Sequence, residues 1–402
     1  MAPWVAAALE EGRFRNQLTS TLMGAVAAGA RGLGGGDALA RRMAVRRLAL
    51  PPGAGIVAVG GATLGGSGKT PLAIACAREL LAAGRRVAFV GHAYRARPAR
   101  ARVVAEDDPI DEVGDEALLA ARALGGWGVP VIVAPSRAAA LALAALHADT
   151  LVLDGVGQTA PVRADLALLA VDASAPWGAG ALPPLGDLRA PPAALLDACD
   201  GIVTVGDPPA PGAAAFSDGT GRETWAARPV SAGAWVGGEL RTWADLGGAR
   251  VGLLSVLARP HRLVRALAAR GVRVRALVRA SDHGPLDRGF FARAAREAGR
   301  ERIDLWLASA KCAIHFEPET RRIAGEPDRA GSALAGHVGR HAALDAPVGV
   351  LDHELVLCAE LRERLARFAE RGAPPRADAT SVLEMTRCRL RPSRLDPRAR
   401  GQ

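Results

Sequence analysis

The sequence predicts an α/β protein with parallel strands and crossover helices, and three features carry that prediction. From Gly55 onward, short apolar runs alternate with helix-forming stretches long enough to cross back over a sheet. The runs are apolar throughout, with no in–out alternation, as befits strands covered on both faces. A glycine-rich turn joins the first strand to the first helix.

Composition sets the outer limits. At a soft prior of ~150 residues per domain, 402 residues suggest more than one folded unit. A 50% hydrophobic content argues against global disorder, and 4% aromatics with 47 glycines argue against a β-sandwich module. Cys76, Cys199, Cys312, Cys358 and Cys388 are widely spaced with no C-x-x-C pair. That excludes a disulfide scaffold or a zinc ribbon and fits a reducing compartment. The net charge is +10, yet only Lys69 and Lys311 among the 51 basic residues are lysines. In such an Arg-rich chain a surviving lysine suggests a place that needs a compact ammonium. A basic balance suits anionic partners. No aromatic-interleaved basic platform or zinc-finger spacing is present, so nucleic acid is not expected as a partner.

The elements follow in order. Residues 1–50 form a predicted membrane-proximal helical segment. Its apolar run, Leu22 to Ala30, falls well short of the ~20 residues a spanning helix needs. Glu10 and Glu11 precede that run, where a signal peptide would be basic. Arg41, Arg42, Arg46 and Arg47 suit an anionic membrane surface. A first domain, 51–215, is predicted to place strands at Ile56–Gly60, Val87–Val90, Val129–Ala134, Leu151–Leu153, Leu166–Val171 and Ile202–Val205. Helices are predicted over 69–83, 116–124 and 137–147. A Pro/Ala/Gly-rich linker spans 207–220. The second, smaller α/β domain, 216–372, is read as strands at 251–254, 272–278, 303–308 and 348–351, with helices at 260–270, 286–298 and 354–371. Residues 373–402 form a basic tail.

The turn reads Thr63-Leu64-Gly65-Gly66-Ser67-Gly68-Lys69-Thr70, placed after a strand and before a helix as a phosphate-binding P-loop requires. Glycines let backbone N–H groups point at phosphate oxygens, and the helix N-terminus adds positive potential. Lys69 is expected to reach the β- and γ-phosphates of ATP, and Thr70 to place its hydroxyl on Mg²⁺. The position of the motif's first glycine is held by Thr63. Leu64 replaces the second lysine that ParA- and MinD-like ATPases carry, which disfavours that subclass. Gly114-Asp115-Glu116 opens a predicted helix. On the residues alone, its acids serve either chemistry or the helix dipole.

These segments together resemble the tetraacyldisaccharide 4'-kinase (lipid A 4'-kinase) family. Its loop, T-x-G-G-x-G-K-T-P, has the same leading threonine and is matched by Thr63 through Pro71. Val113 to Leu119 resembles its V-G-D-E-P-L-L, Val131 to Arg137 the strand and arginine that follow, and Ala181 to Arg189 its L-L-P-A-G-P-L-R. Ala258 to Leu263 and Ser281-Asp282-His283 resemble two later segments. The resemblance implies phosphoryl transfer from MgATP to the 4'-hydroxyl of an acylated glucosamine disaccharide lipid. The product is lipid IVA, made peripherally on the cytoplasmic face of the bacterial inner membrane. It also implies Asp115 as base, tuned by His283, with Thr70, Glu116 and Asp154 near the metal and Arg137 and Arg189 near phosphates.

The pattern breaks in three places. The family's D-D-G-L-Q-H becomes Asp154-Gly155-Val156-Gly157-Gln158-Thr159, its S-R-G-Y becomes Gly91-His92-Ala93-Tyr94, and its T-E-K-D becomes Ser309-Ala310-Lys311-Cys312. Two alternatives therefore stand beside an active kinase: a P-loop kinase for another lipid or sugar, and a catalytically weak nucleotide-binding paralogue.

Overall fold

Among the described residues, the fully buried strand β1 (Gly55–Gly61) lies in the middle of the larger of two sheets. The computed structural model describes residues 50–93, 96–155, 164–182, 186–207, 221–257, 259–280, 286, 288–316, 344 and 346–371. The expected N-terminal segment and basic tail, apart from Leu50, lie outside these residues.

The further strands are β2 (Val87–Val90), β3 (Arg102–Val103), β4 (Val131–Val133), β5 (Thr150–Asp154), β6 (Leu166–Asp172), β7 (Gly201–Val205) and β8 (Glu223–Val230). Next come β9 (Gly233–Val236), β10 (Glu239–Thr242), β11 (Val251–Ser255), β12 (Val274–Arg279), β13 (Leu305–Ala308), β14 (Val348–Leu351) and β15 (Glu354–Leu357). The helices are α1 (Lys69–Ala82), α2 (Ile110–Val113), α3 (Asp115–Leu124), α4 (Arg137–His147), α5 (Pro192–Asp197), α6 (Trp243–Gly247), α7 (Pro260–Ala269), α8 (Arg288–Glu301), α9 (Ala310–Ala313) and α10 (Ala359–Glu370).

Among the described residues the larger sheet is nine-stranded, in the order β15-β8-β7-β6-β1-β5-β2-β4-β3. Its inner strands are parallel, and β3 and β15 close the two edges antiparallel. Side-chain alternation along β1 explains the double cover. Val57 and Val59 enter a core shared with α1, α3 and α10, while Ile56 and Ala58 enter a second core under α4. Each fully buried Val or Ile here contributes about 1.5–3 kcal/mol. β1 leads through α1 to one side of the sheet, and β6 pairs on its other side. It is therefore the switch point outside which ligands bind in open α/β sheets.

The second sheet runs β10-β9-β14-β13-β11-β12, with β14, β13, β11 and β12 parallel and the β9–β10 hairpin antiparallel at the other end. α8 covers one face through Phe290, Ala294 and Ala298, and α7 the other through Leu267.

The mixed α/β architecture and the alternating series are as the sequence predicts. The helix read from Glu354 begins instead at Ala359, and Glu354–Leu357 is a strand. Those four residues alternate exposed and buried and pair with β8, a period-2 stretch too short to stand out beside the longer helical period. Strands β8 to β10 have no counterpart in the sequence reading. β9 and β10 are only four residues each, β10 is exposed throughout with Glu239 and Arg241, and Pro229 near the end of β8 argues against a strand. β8 and β15 come from the stretch after residue 215 and join the larger sheet, so the chain crosses between the two sheets more than once.

Candidate active site between the two sheets

The loop after β1 has the backbone the motif asks for. Gly66 and Gly68 sit at φ +75° and +77°, the left-handed region that side chains disfavour, and Gly68 caps α1. A Cβ on Gly68 would also lie 2.5 Å from Val205 Cγ1, so the loop is packed as well as curled. Thr63 donates its hydroxyl to Gly65 O at 2.7 Å. Its backbone is bridged to Leu188, Leu64 N donates to Asp187 O at 2.8 Å, and Arg189 N donates to Ala62 O at 3.0 Å. Arg189 further donates Nε to Thr63 O at 2.7 Å. The Asp187–Arg189 segment thus braces the entry to the loop. Ser67 and Thr70 are buried and Leu64 is exposed.

Beneath the loop, β5 supplies Asp154, fully buried at the strand's C-terminal end. Thr70 donates its hydroxyl to Asp154 Oδ2 at 2.6 Å. Asp154 Oδ1 is buried with no hydrogen-bond partner among the described residues, and Lys69 Nζ stands 3.9 Å away. Arg137, the first residue of α4, donates Nη2 to Asp154 O at 2.6 Å. Gly155 has φ +78°, and a Cβ there would lie 3.4 Å from Arg137 Nη2. The backbone therefore suits glycine at the position where the family pattern has its second aspartate.

The first turn of α3 presents Asp115 and Glu116. Lys69 Nζ donates to Glu116 Oε2 at 2.7 Å, and Lys311 Nζ donates to Glu116 Oε1 at 3.3 Å. The only two lysines of the chain thus meet on one carboxylate. Lys311 Nζ also lies 3.3 Å from Asp115 Oδ2. Lys311 comes from α9, which follows β13, so the second sheet delivers it to the first.

Two arginines reinforce that junction. Arg259 and Arg262, at the start of α7, pair with Asp187 and Asp172 respectively, and Arg262 donates to Gly66 O at 3.1 Å. The ends of β11 and β13 therefore face the ends of β1, β5 and β6 across the site.

Charge is finely balanced here. Burial works to raise the Glu116 carboxyl, but Lys311 and then Lys69 outweigh it and hold the pKa at about 2. Burial followed by Glu116 raises that of Asp154, against the pull of Lys69 and Thr70. Burial lowers the pKa of Arg137, with Asp154 opposing. Burial works to lower the Lys311 ammonium, yet Glu116 and Asp115 keep it above its usual value. His92, at the end of β2, is pushed down to about 4 by desolvation and then by Arg137.

The structure thus brings together Thr63 to Thr70, Asp115, Glu116, Arg137, Asp154 and Arg189. His283 falls in 281–285, outside the described residues. The sequence reading gave Lys311 and His92 no role, and missed Asp187, Arg259, Arg262 and His315. The scarcity of lysine was the signal for Lys311; Asp187, Arg259 and Arg262 sit in segments that resemble the family, but their partners, like that of His315, lie far away in the chain.

The residues present fit a magnesium ion and a nucleotide. A hydroxyl and a carboxylate with a spare oxygen form the hard oxygen set that Mg²⁺ takes when phosphates complete its shell. The curled glycine backbone matches a polyphosphate. A parallel α/β sheet with a glycine-rich loop at its switch point is the setting in which nucleotide-dependent phosphotransferases hold their phosphates.

Comparison with known proteins narrows the class. The family model for tetraacyldisaccharide-1-P 4'-kinase (LpxK) matches residues 37–324. Tetraacyldisaccharide 4'-kinases of Anaeromyxobacter dehalogenans (strain 2CP-C) and Methylobacterium nodulans are 38% and 36% identical over 289 and 280 residues. These alignments cover 68% and 67% of this chain and 75% and 74% of those relatives. A crystal structure of LpxK from Aquifex aeolicus in complex with ATP matches with a TM-score of 0.56 at 20% identity, over 88% of this chain and 99% of that one. That last likeness is one of fold. The chain belongs to the tetraacyldisaccharide 4'-kinase family.

Proposed function

We propose that the chain transfers the γ-phosphoryl group of ATP to the 4'-hydroxyl of tetraacyldisaccharide 1-phosphate, yielding lipid IVA. The observation that carries this reading is that one lysine, Lys69, links the phosphate loop to the Asp115–Glu116 turn, so donor and acceptor chemistry meet at one point.

The N–H groups of the loop and Lys69 hold the β- and γ-phosphates. Thr70 and Asp154 would hold Mg²⁺, which when bound would neutralise charge that develops on the phosphates. Asp115 accepts the proton of the attacking hydroxyl, with His283 tuning it as the family resemblance implies. Glu116, named at sequence level as metal-proximal, has both oxygens engaged by lysines, and through them it sets where Lys69 and Lys311 stand. Arg137 and Arg189 add positive charge for phosphate groups. Among the described residues no helix is long and apolar enough to cross a membrane. Peripheral attachment at the cytoplasmic face of the inner membrane, through residues 1–50 and an anionic surface, is part of the proposal.

The test is direct. Purified chain, MgATP and tetraacyldisaccharide 1-phosphate are incubated in detergent, and the lipid is weighed by mass spectrometry. One added phosphate on the lipid is expected. ATP binding without any lipid product would favour the catalytically weak paralogue over the kinase.

A further inference from the structure

His315 stands beside the proposed base, Asp115. Ser309 caps α9, accepting from Cys312 N at 3.3 Å, and the helix runs on into a 3-10 turn over Ile314–Phe316. This short segment is anchored in both halves of the molecule. Cys312 and Ala313 are buried in the core of the second sheet, and Ile314 is buried in the core of the larger sheet. Between these anchors, Lys311 and His315 stand four residues apart and reach the same turn of α3.

The surroundings of His315 are specific. Its side chain is 0% exposed and that of Asp115 is 3% exposed, with Nε2 at 3.4 Å from Asp115 Oδ2. Neither ring nitrogen has a hydrogen-bond partner among the described residues, an arrangement that proteins avoid for buried polar groups. The carboxylate is within a few tenths of an ångström of supplying that partner. Lys311 Nζ approaches the same oxygen, at 3.3 Å. Nε2 of His315 and Nζ of Lys311 thus face the same carboxylate oxygen, both carried on the segment that follows β13 of the second sheet.

We propose that His315 is a positioning residue for Asp115: it donates Nε2–H to Oδ2 and, with Lys311, holds the base in the orientation that meets the acceptor hydroxyl. This role rests on the reading of Asp115 as the base and is separate from the tuning role implied for His283. A simple packing role would be served as well by an apolar side chain, which makes the two distinguishable.

The experiment measures kcat and KM on the full chain with MgATP and tetraacyldisaccharide 1-phosphate. His315→Leu is expected to lower kcat by about 100-fold, the scale of a misplaced catalytic group, while the KM for ATP stays unchanged. His315→Gln, whose amide nitrogen reaches the place of Nε2, should restore most of the rate, and His315→Asn, which matches Nδ1, should not. In an Asp115→Asn background, His315→Leu should cost nothing further, because the residue acts through Asp115. Wild-type turnover in His315→Leu, or the same loss in both backgrounds, overturns the role. Should His315→Leu fail to fold, the Gln and Asn variants decide alone, and equal rates in those two overturn it. An active wild type with an insensitive His315 sinks this role only. A wild type that binds ATP yet phosphorylates no lipid sinks the proposed function and this role with it.

Discussion

The phosphate loop takes Thr63 to Thr70 from one unbroken stretch, whereas the corner beside it joins Glu116 to Lys311 across 195 residues of chain. The loop binds through backbone N–H groups, so its chemistry is set by two left-handed glycines and the start of a helix. The corner acts through side chains brought together by the packing of one sheet against another. A cradle made of backbone tolerates Thr63 and Leu64 in unusual positions. A corner made of side chains depends on every pair that closes the two halves.

That contrast sets the predictions. Lys69 belongs to both regions, so Lys69→Ala should abolish phosphate transfer altogether: it removes the phosphate contact and leaves Glu116 without its shorter partner. Turnover near that of the wild type would refute the loop assignment. Asp115 belongs to the corner alone. Asp115→Asn should lower kcat by about 10²- to 10⁴-fold, the usual worth of a general base, while nucleotide affinity measured by calorimetry stays level. Equal losses in both quantities would make Asp115 a structural residue.

Arg259 joins the halves without touching the proposed base. It and Asp187 are each 5% exposed in their side chains, so Arg259→Met leaves a buried carboxylate without its cation, with the Ala179 N–H as its remaining donor. The expected destabilisation is about 3–5 kcal/mol in urea unfolding. A loss below about 1 kcal/mol, the worth of an exposed pair, would mean that the halves are not closed through this contact.

The smallest expected effect is a pH dependence. Glu116 titrates at about 2 in the folded chain against an ordinary value of 4.5. A carboxylate with a lowered folded pKa stabilises fully above its unfolded value and loses that contribution as pH falls through the folded one. Wild-type unfolding midpoints should therefore fall between pH 4.5 and 2 more steeply than those of Glu116→Gln. Parallel curves would show that the two lysines do not hold Glu116 in its charged form.

The same contrast explains what could be read in the sequence. The alternating apolar runs and the loop are local patterns, and the predicted helix at Arg137–His147 matches α4 residue for residue. Asp115, Glu116, Asp154, Arg137 and Arg189 came from motif order, and the structure gathers them around Lys69 and the loop. Asp187, Arg259 and Arg262 lie in segments legible as motifs, but their roles, like that of His315, are not legible there, because each is defined by a partner in another element. Lys311 lay between these cases. Its rarity in an arginine-rich chain marked it, and only the fold shows that it shares Glu116 with Lys69.

The claim that the second sheet completes the site is tested most directly by a double-mutant cycle in turnover between Lys311→Met and Glu116→Gln. If Lys311 works through the carboxylates of α3, the two losses overlap and the double variant is little worse than the poorer single one. Losses that multiply in full would show that Lys311 and Glu116 act independently, and would contradict the assembled corner described here.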